Sequence, residues 1–158
     1  MESFLRSPNM IRITELLYPS PPHGRANVGL LAVRVVAGLA FMFHGWSKIQ
    51  NPFGWMGADC GTPGVFQAMA TLSEFGGGLA WIIGLLVPLA SAGIFSTMCV
   101  AWWKHALVQG APFVGKPPSY ELALLYAAIA VLFMLCGPGR LSLDCVIAKW
   151  WSGKPARE

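Results

Sequence analysis

The chain has 158 residues, of which 55% are hydrophobic and only 11% charged, with a formal net charge of +4. A soluble domain carries about 25% charged residues, so these charges cannot coat a water-facing surface, and apolar runs of about 20 residues match the thickness of a bilayer. The expected class is an integral membrane protein; the basic residues fall in tails and loops without a polybasic stripe, which excludes nucleic acid as a partner.

Residues 1–26 are polar and proline-punctuated, ending YPSPPHGRAN. They read as a cytoplasmic N-terminal tail with a short amphipathic start. No small-residue cleavage site follows the first apolar run, so that run is expected to persist as a helix. It covers Val28 to Trp46 and ends in the cluster FHGWSKIQNP. Trp46 and Lys48 read there as interface dressing, and His44 as part of a site. The loop from Gln50 to Thr62, rich in Gly, Pro and aromatics, is expected to pack over the bundle mouth.

The second span is Phe75 to Ala90, with an earlier start open because Pro63 suits a first helical turn and GVFQAMATLSE suits a helix. Pro88 is expected at its far end, in a tight turn into a third span from Ser91 to Val108. The fourth span is Tyr120 to Gly137. Beyond it, LSLDCVIAKWW (Leu141 to Trp151) reads as an amphipathic helix in the interface, anchored by Lys149, Trp150 and Trp151. The expected fold is thus an all-α, polytopic four-helix membrane bundle over residues 27–140, with an interfacial segment over 141–158. Arg6, Arg12, Arg25, Arg140, Lys149, Lys154 and Arg157 crowd the two tails, and the positive-inside rule puts both termini in the cytoplasm. The cysteines Cys60, Cys99, Cys136 and Cys145 are too scattered for a thioredoxin-like dithiol or a zinc knuckle.

Counting about 1.5 Å per residue from the inner face, Glu74 and His105 lie ~20 Å up and His44 and Glu121 ~24–25 Å up. Each comes from a different span, in the outer leaflet of a core ~30 Å thick. Charges facing lipid are expensive, so the four should turn inward and satisfy one another. Arg34, Gly38, His44, Gly45 and Lys48 share an arc of ~120° on the first helix; the glycines admit a close neighbour. Arg34, deeper toward the cytoplasm, can snorkel or pair with Asp144. Blander readings stand beside these. Glu121 suits a first-turn acid favoured by the helix dipole, and His105, after WWK, suits the interfacial belt. The whole layer also suits a structural hydrogen-bond network. As chemistry, the layer can bind a transition metal, though without E-x-x-H or H-x-x-x-H spacing. It can hold and protonate a quinone head group, because imidazoles titrate near neutral pH. It can also form a proton or solute path.

Three stretches carry a resemblance: VRVVAGLAFMFHGWSKI at Val33 to Ile49, LSEFGGGLAWIIGLLVPLA at Leu72 to Ala90, and YELALLYAAIAVLFMLCGPGRLSLD at Tyr120 to Asp144. With the endings HG-x-x-K, E-x-x-GG and GPGR-x-SLD, the chain resembles the DoxX family of small bacterial membrane proteins over residues 28–145. Arg34, His44, Gly45, Lys48, Glu74, Gly77, Glu121, Arg140 and Asp144 match the family pattern, which identifies the family without defining a catalytic site. The resemblance implies a four-helix bundle in the bacterial inner membrane. It also implies links to terminal-oxidase and thiosulfate:quinone oxidoreductase systems, or to complexes holding a superoxide dismutase and a sulfurtransferase. The leading expectation is a non-autonomous membrane subunit of an oxidoreductase, working with protein partners. His44, Glu74, His105 and Glu121 form its catalytic layer, Arg34 and Lys48 bind a cofactor, and the cofactor is a quinone; no resident metal is expected. A membrane anchor or assembly protein, a homo-oligomer and a small-solute transporter remain open alternatives.

Overall fold

The structure, a computed structural model, describes residues 24–152. Most of the expected N-terminal tail, with Arg6 and Arg12, lies outside the described residues, as do Lys154, Arg157 and the side chains of Lys149 and Trp151. The described residues are helical, without strands. Helix α1 runs Arg25–Ile49. A second rod comprises α2 (Gly64–Thr71), a π turn (Leu72–Gly76) and α3 (Gly77–Ile83). A third comprises α4 (Val87–Trp102) and a second π turn (Trp103–Val108). Helix α5 (Glu121–Cys136) is the fourth, and α6 spans Leu143–Ser152. Among the described helices α1 alone is both long and apolar enough to cross a membrane; α5 is apolar but shorter.

The second rod does begin early. Pro63 stands one place before it, in extended backbone, with its carbonyl accepting from Phe66 N–H at 3.0 Å. The turn into the third rod is not at Pro88 to Ser91. The chain turns at Gly84 to Leu86, where Gly84 (φ 74°) and Leu86 (φ 48°) are both left-handed. Pro88 falls in the first turn of α4, where its missing N–H costs nothing. Ser91 is buried inside α4; its hydroxyl accepts from Trp81 Nε1 at 2.9 Å and donates to the Val87 carbonyl at 2.6 Å.

The rods pack in chain order: α1 on α3 and the first π turn, α3 on α4, α4 on α5. Glycine makes the first contact close. A Cβ added at Gly78 would stand 2.7 Å from the Gly38 carbonyl oxygen and 2.9 Å from Met42 N, and one at Gly45 would stand 2.7 Å from Phe75 N. Backbone meets backbone there, as small residues allow between membrane helices. Gly78→Val is therefore expected to lower stability in mixed micelles by ~1–3 kcal/mol through overpacking. Gly77→Ala is the milder control, because its Cβ first meets the end of the Ile94 side chain at 3.0 Å.

The core is a chain of edge-on aromatic rings. Trp81 stands 5.5 Å from Phe41 and 4.8 Å from Phe133, and Phe41 stands 4.7 Å from Tyr126. Through these side chains α1 reaches α5; their backbones approach one another far less than those of the sequential neighbours. A fissure is left between α1 and α5.

At the α3–α4 end Arg34 neither snorkels nor pairs directly with Asp144. It is 1% exposed. Its Nε donates to the Trp81 carbonyl at 2.7 Å, Nη1 to Pro138 at 2.5 Å and Leu141 at 3.0 Å, and Nη2 to Ile82 at 3.2 Å. Asp144, on α6, accepts from the Leu86 and Val87 amides at 2.9 and 3.2 Å. Each charge satisfies one side of the same turn: the cation takes the carbonyls that end α3, and the anion takes the amides that begin α4.

Candidate functional site

Between the rods, on the side away from Arg34, lies a cavity of about 280 Å³. His44 and Lys48 reach it from α1, Glu74 from the first π turn, His105 from the second, and Tyr126 and Ser119 from α5 and the segment before it. Phe41, Met98, Ala101, Leu122 and Ala123 supply apolar wall.

Glu74 is 4% exposed, and both its carboxylate oxygens accept from Lys48 Nζ, at 2.6 and 2.5 Å. The interface role expected for Lys48 is thus overturned: its stem leads inward to a buried partner. The ammonium also lies 4.3 Å from the centroid of the Trp55 ring, within cation–π range. Trp55 belongs to the loop after α1. Gln67, 3% exposed, pins that loop: its Oε1 accepts from Met56 N–H at 3.0 Å, its Nε2 donates to the Thr62 carbonyl at 2.9 Å, and its own carbonyl accepts from Trp55 Nε1 at 3.1 Å. One ammonium hydrogen remains after Glu74 is served, since Lys carries three.

His44 and His105 differ in their surroundings. His44 is exposed at the cavity, edge-on to Phe41 and Tyr126 at 6.4 Å each, and no described residue hydrogen-bonds it. Half-buried His105 has Nδ1 2.7 Å from Gln109 Oε1. Nδ1 is engaged with Gln109, which leaves Nε2 for another partner.

The structure therefore brings three of the four layer residues to one cavity. Glu121 is not among them: it is exposed in the first turn of α5, where it complements the helix dipole. Arg34, expected beside Lys48 as a cofactor ligand, is also absent. It lies ten residues before His44, ~15 Å along α1, with its donors committed to carbonyls. Among the described residues no group of three His, Cys, Asp or Glu side chains forms a metal site.

Both π turns carry a cavity residue, Glu74 and His105. A π turn adds a residue within a helix and re-aims the side chains near it, and such turns concentrate at functional sites. Tyr126 and Gln67 escaped the sequence reading. Tyr126 left a signal, as the polar aromatic in the middle of the otherwise apolar fourth span. Gln67 left none beyond its place in a short amphipathic stretch.

The family model described as DoxX matches residues 29–107, which include Arg34, His44, Lys48, Glu74 and His105. The chain is 31% identical over 132 residues to the inner membrane protein YqjF of Escherichia coli, covering 79% of this chain and 96% of that protein. It is 27% identical over 117 residues to an uncharacterized protein of Haemophilus influenzae, covering 73% of this chain and 87% of the other. No solved structure matches it significantly.

Proposed function

We propose a function from a firm premise: the chain belongs to the DoxX family. It is a multi-pass inner-membrane subunit of a quinone-linked redox system, its four rods crossing the bilayer with both termini in the cytoplasm, and its cavity holds the quinone head group. The surface supports a bilayer setting. Phe43 is 78% exposed, Leu135 72% and Val36 70%, while Arg34 on the same helix as two of them is buried. This inverts the arrangement that water would favour. Leu143, Val146, Ile147 and Trp150 line up exposed on α6, as an interfacial helix requires. YqjF, moreover, is named an inner membrane protein.

The observation that carries the reading is the convergence of the Lys48–Glu74 pair, His44 and His105 on one apolar-walled cavity. Its volume of about 280 Å³ suits a single substituted ring, near the lower end of ligand pockets at ~300 Å³. A quinone held there would supply two-electron, two-proton redox chemistry, with its electrons coming from a partner subunit. This chain's residues handle hydrogen bonds and protons. Lys48 offers its third N–H to a ring oxygen. His44, free of protein partners among the described residues, exchanges a proton at either nitrogen; His105 does so at Nε2. Glu74 holds Lys48 in place and keeps the cavity near neutrality, which suits an uncharged ring.

The test is an assay of the gently purified protein for extractable quinone and for co-purifying subunits, with His44→Ala alongside. His44 is exposed, so the variant should fold. About one quinone per chain, lost or reduced several-fold in folded His44→Ala, is the expected result. No quinone in either sample, with a constant protein partner in both, replaces this reading with a membrane anchor.

A further inference from the structure

We infer that the α1–α5 fissure is the channel for the ligand's apolar chain, so that the cavity loads sideways from the bilayer and its ligand is a tailed amphiphile; this rests on the proposed head-group site. A furrow of about 390 Å³ lies in the fissure, lined from Ala32 through Val33 and Val36 to Ala37 on α1 and by Leu125, Tyr126 and Ile129 of α5. Its lining is almost wholly apolar. Tyr126 borders both the furrow and the polar cavity, so the two adjoin across one side chain. That ring packs 4.7 Å from Phe41 and edge-on to His44 at 6.4 Å. It is half-buried and forms the neck where a head group would join its chain.

The continuity with the cavity selects the occupant. A molecule whose ring sits at Lys48 and His44 must send its substituent past Tyr126, because the apolar opening lies there. From Lys48 back to Ala32 is ~24 Å along α1, the reach of a ring with a chain rather than of a ring alone. A partner helix is a poor fit, since two turns with side chains, ~10 Å wide and ~11 Å long, displace over twice the furrow's volume. Val36 and Leu125 at the rim are 70% and 53% exposed, so the furrow opens outward along its length.

Lipid is as apolar as the furrow, so burying the chain there gains packing but no transfer energy. Chain position, not affinity, is the informative reading. The experiment uses the full chain in lipid nanodiscs, with a benzoquinone carrying a diazirine midway along a ten-carbon chain. Binding of the tail-less parent quinone is measured in the same preparation. The expected result is photolabel on Val33, Val36, Leu125 or Ile129, suppressed several-fold by excess tail-less quinone. In Val36→Trp, which plugs the furrow from an exposed position, that label is lost while tail-less binding persists. Labelling of the furrow that excess quinone does not suppress marks an ordinary lipid-facing groove and overturns the inference, as does suppressible labelling elsewhere; the head-group site survives both outcomes. Absence of binding by the tail-less quinone together with absence of suppressible label removes the head-group site and the inference with it.

Discussion

Arg34→Met is expected to destabilise the folded protein by ~3–5 kcal/mol, the range for breaking a buried charged network from one side. The guanidinium donates to four carbonyls from two separate parts of the chain, Trp81 and Ile82 ending α3, and Pro138 and Leu141 after α5. Methionine fills similar space but returns none of those bonds, and each unsatisfied buried carbonyl costs ~1–3 kcal/mol where no other donor reaches it. Asp144 would also lose the nearby cation that offsets its charge on the Leu86–Val87 amides. Arg34→Lys is expected to recover only part of the loss, because an ammonium keeps the charge but cannot spread donors across a planar fork. Unfolding in mixed detergent micelles, followed by helical content and by size-exclusion profile, measures both. A Met variant within ~1 kcal/mol of the parent would mean the end of the bundle is held by packing alone. The quinone assay is the second reading: a residue ~15 Å from His44 should change the amount of folded protein rather than quinone bound per folded chain.

The contrast between Arg34 and Lys48 shows how far the sequence could be read. Apolar runs marked the stretches that form the rods, and Arg34 and Lys48 marked the inward arc of α1, because a charge set among apolar side chains must find partners. Partner choice was not legible. Arg34 bonds backbone carbonyls, which leave no residue-type signal, and Lys48 crosses to an acid twenty-six positions away. Depth counting put Glu121 level with His44, yet level residues meet only if their faces agree. Glu121, in the first turn of α5, falls on an exposed face, and in the second and third rods the faces are set by the π turns. Each shifts the residues beyond it by about one position, ~100°, so a wheel drawn at constant pitch through Leu72–Gly76 or Trp103–Val108 assigns the later residues to the wrong face. The turn at Gly84 was missed for a related reason. Pro88 is the louder residue, but proline serves the start of a helix as well as the approach to a break, whereas the left-handed Gly84 and Leu86 carry the reversal itself.

The Lys48–Glu74 pair yields the second large effect and separates a structural layer from a working one. Lys48→Met leaves a buried carboxylate without its cation, and Glu74→Gln leaves an ammonium with 20% side-chain exposure facing a weaker acceptor. The first is expected to cost about 3 kcal/mol or more, and the second less, because the lysine can turn toward solvent and toward the Trp55 ring. The double variant should be nearer the parent than the sum of the singles, since removing both charges also removes their desolvation. A coupling of about 1–3 kcal/mol in the cycle is the stability signature of the pair. Quinone content of the double variant then decides the role. If the pair only fixes helix packing, the rescued protein carries as much quinone as the parent. If Lys48 donates its remaining N–H to the head group, the double variant is folded, stable and several-fold depleted in quinone. Stability without binding is the expected outcome, because Glu74 occupies both its oxygens on one lysine while that lysine still lines an open cavity with a hydrogen to give.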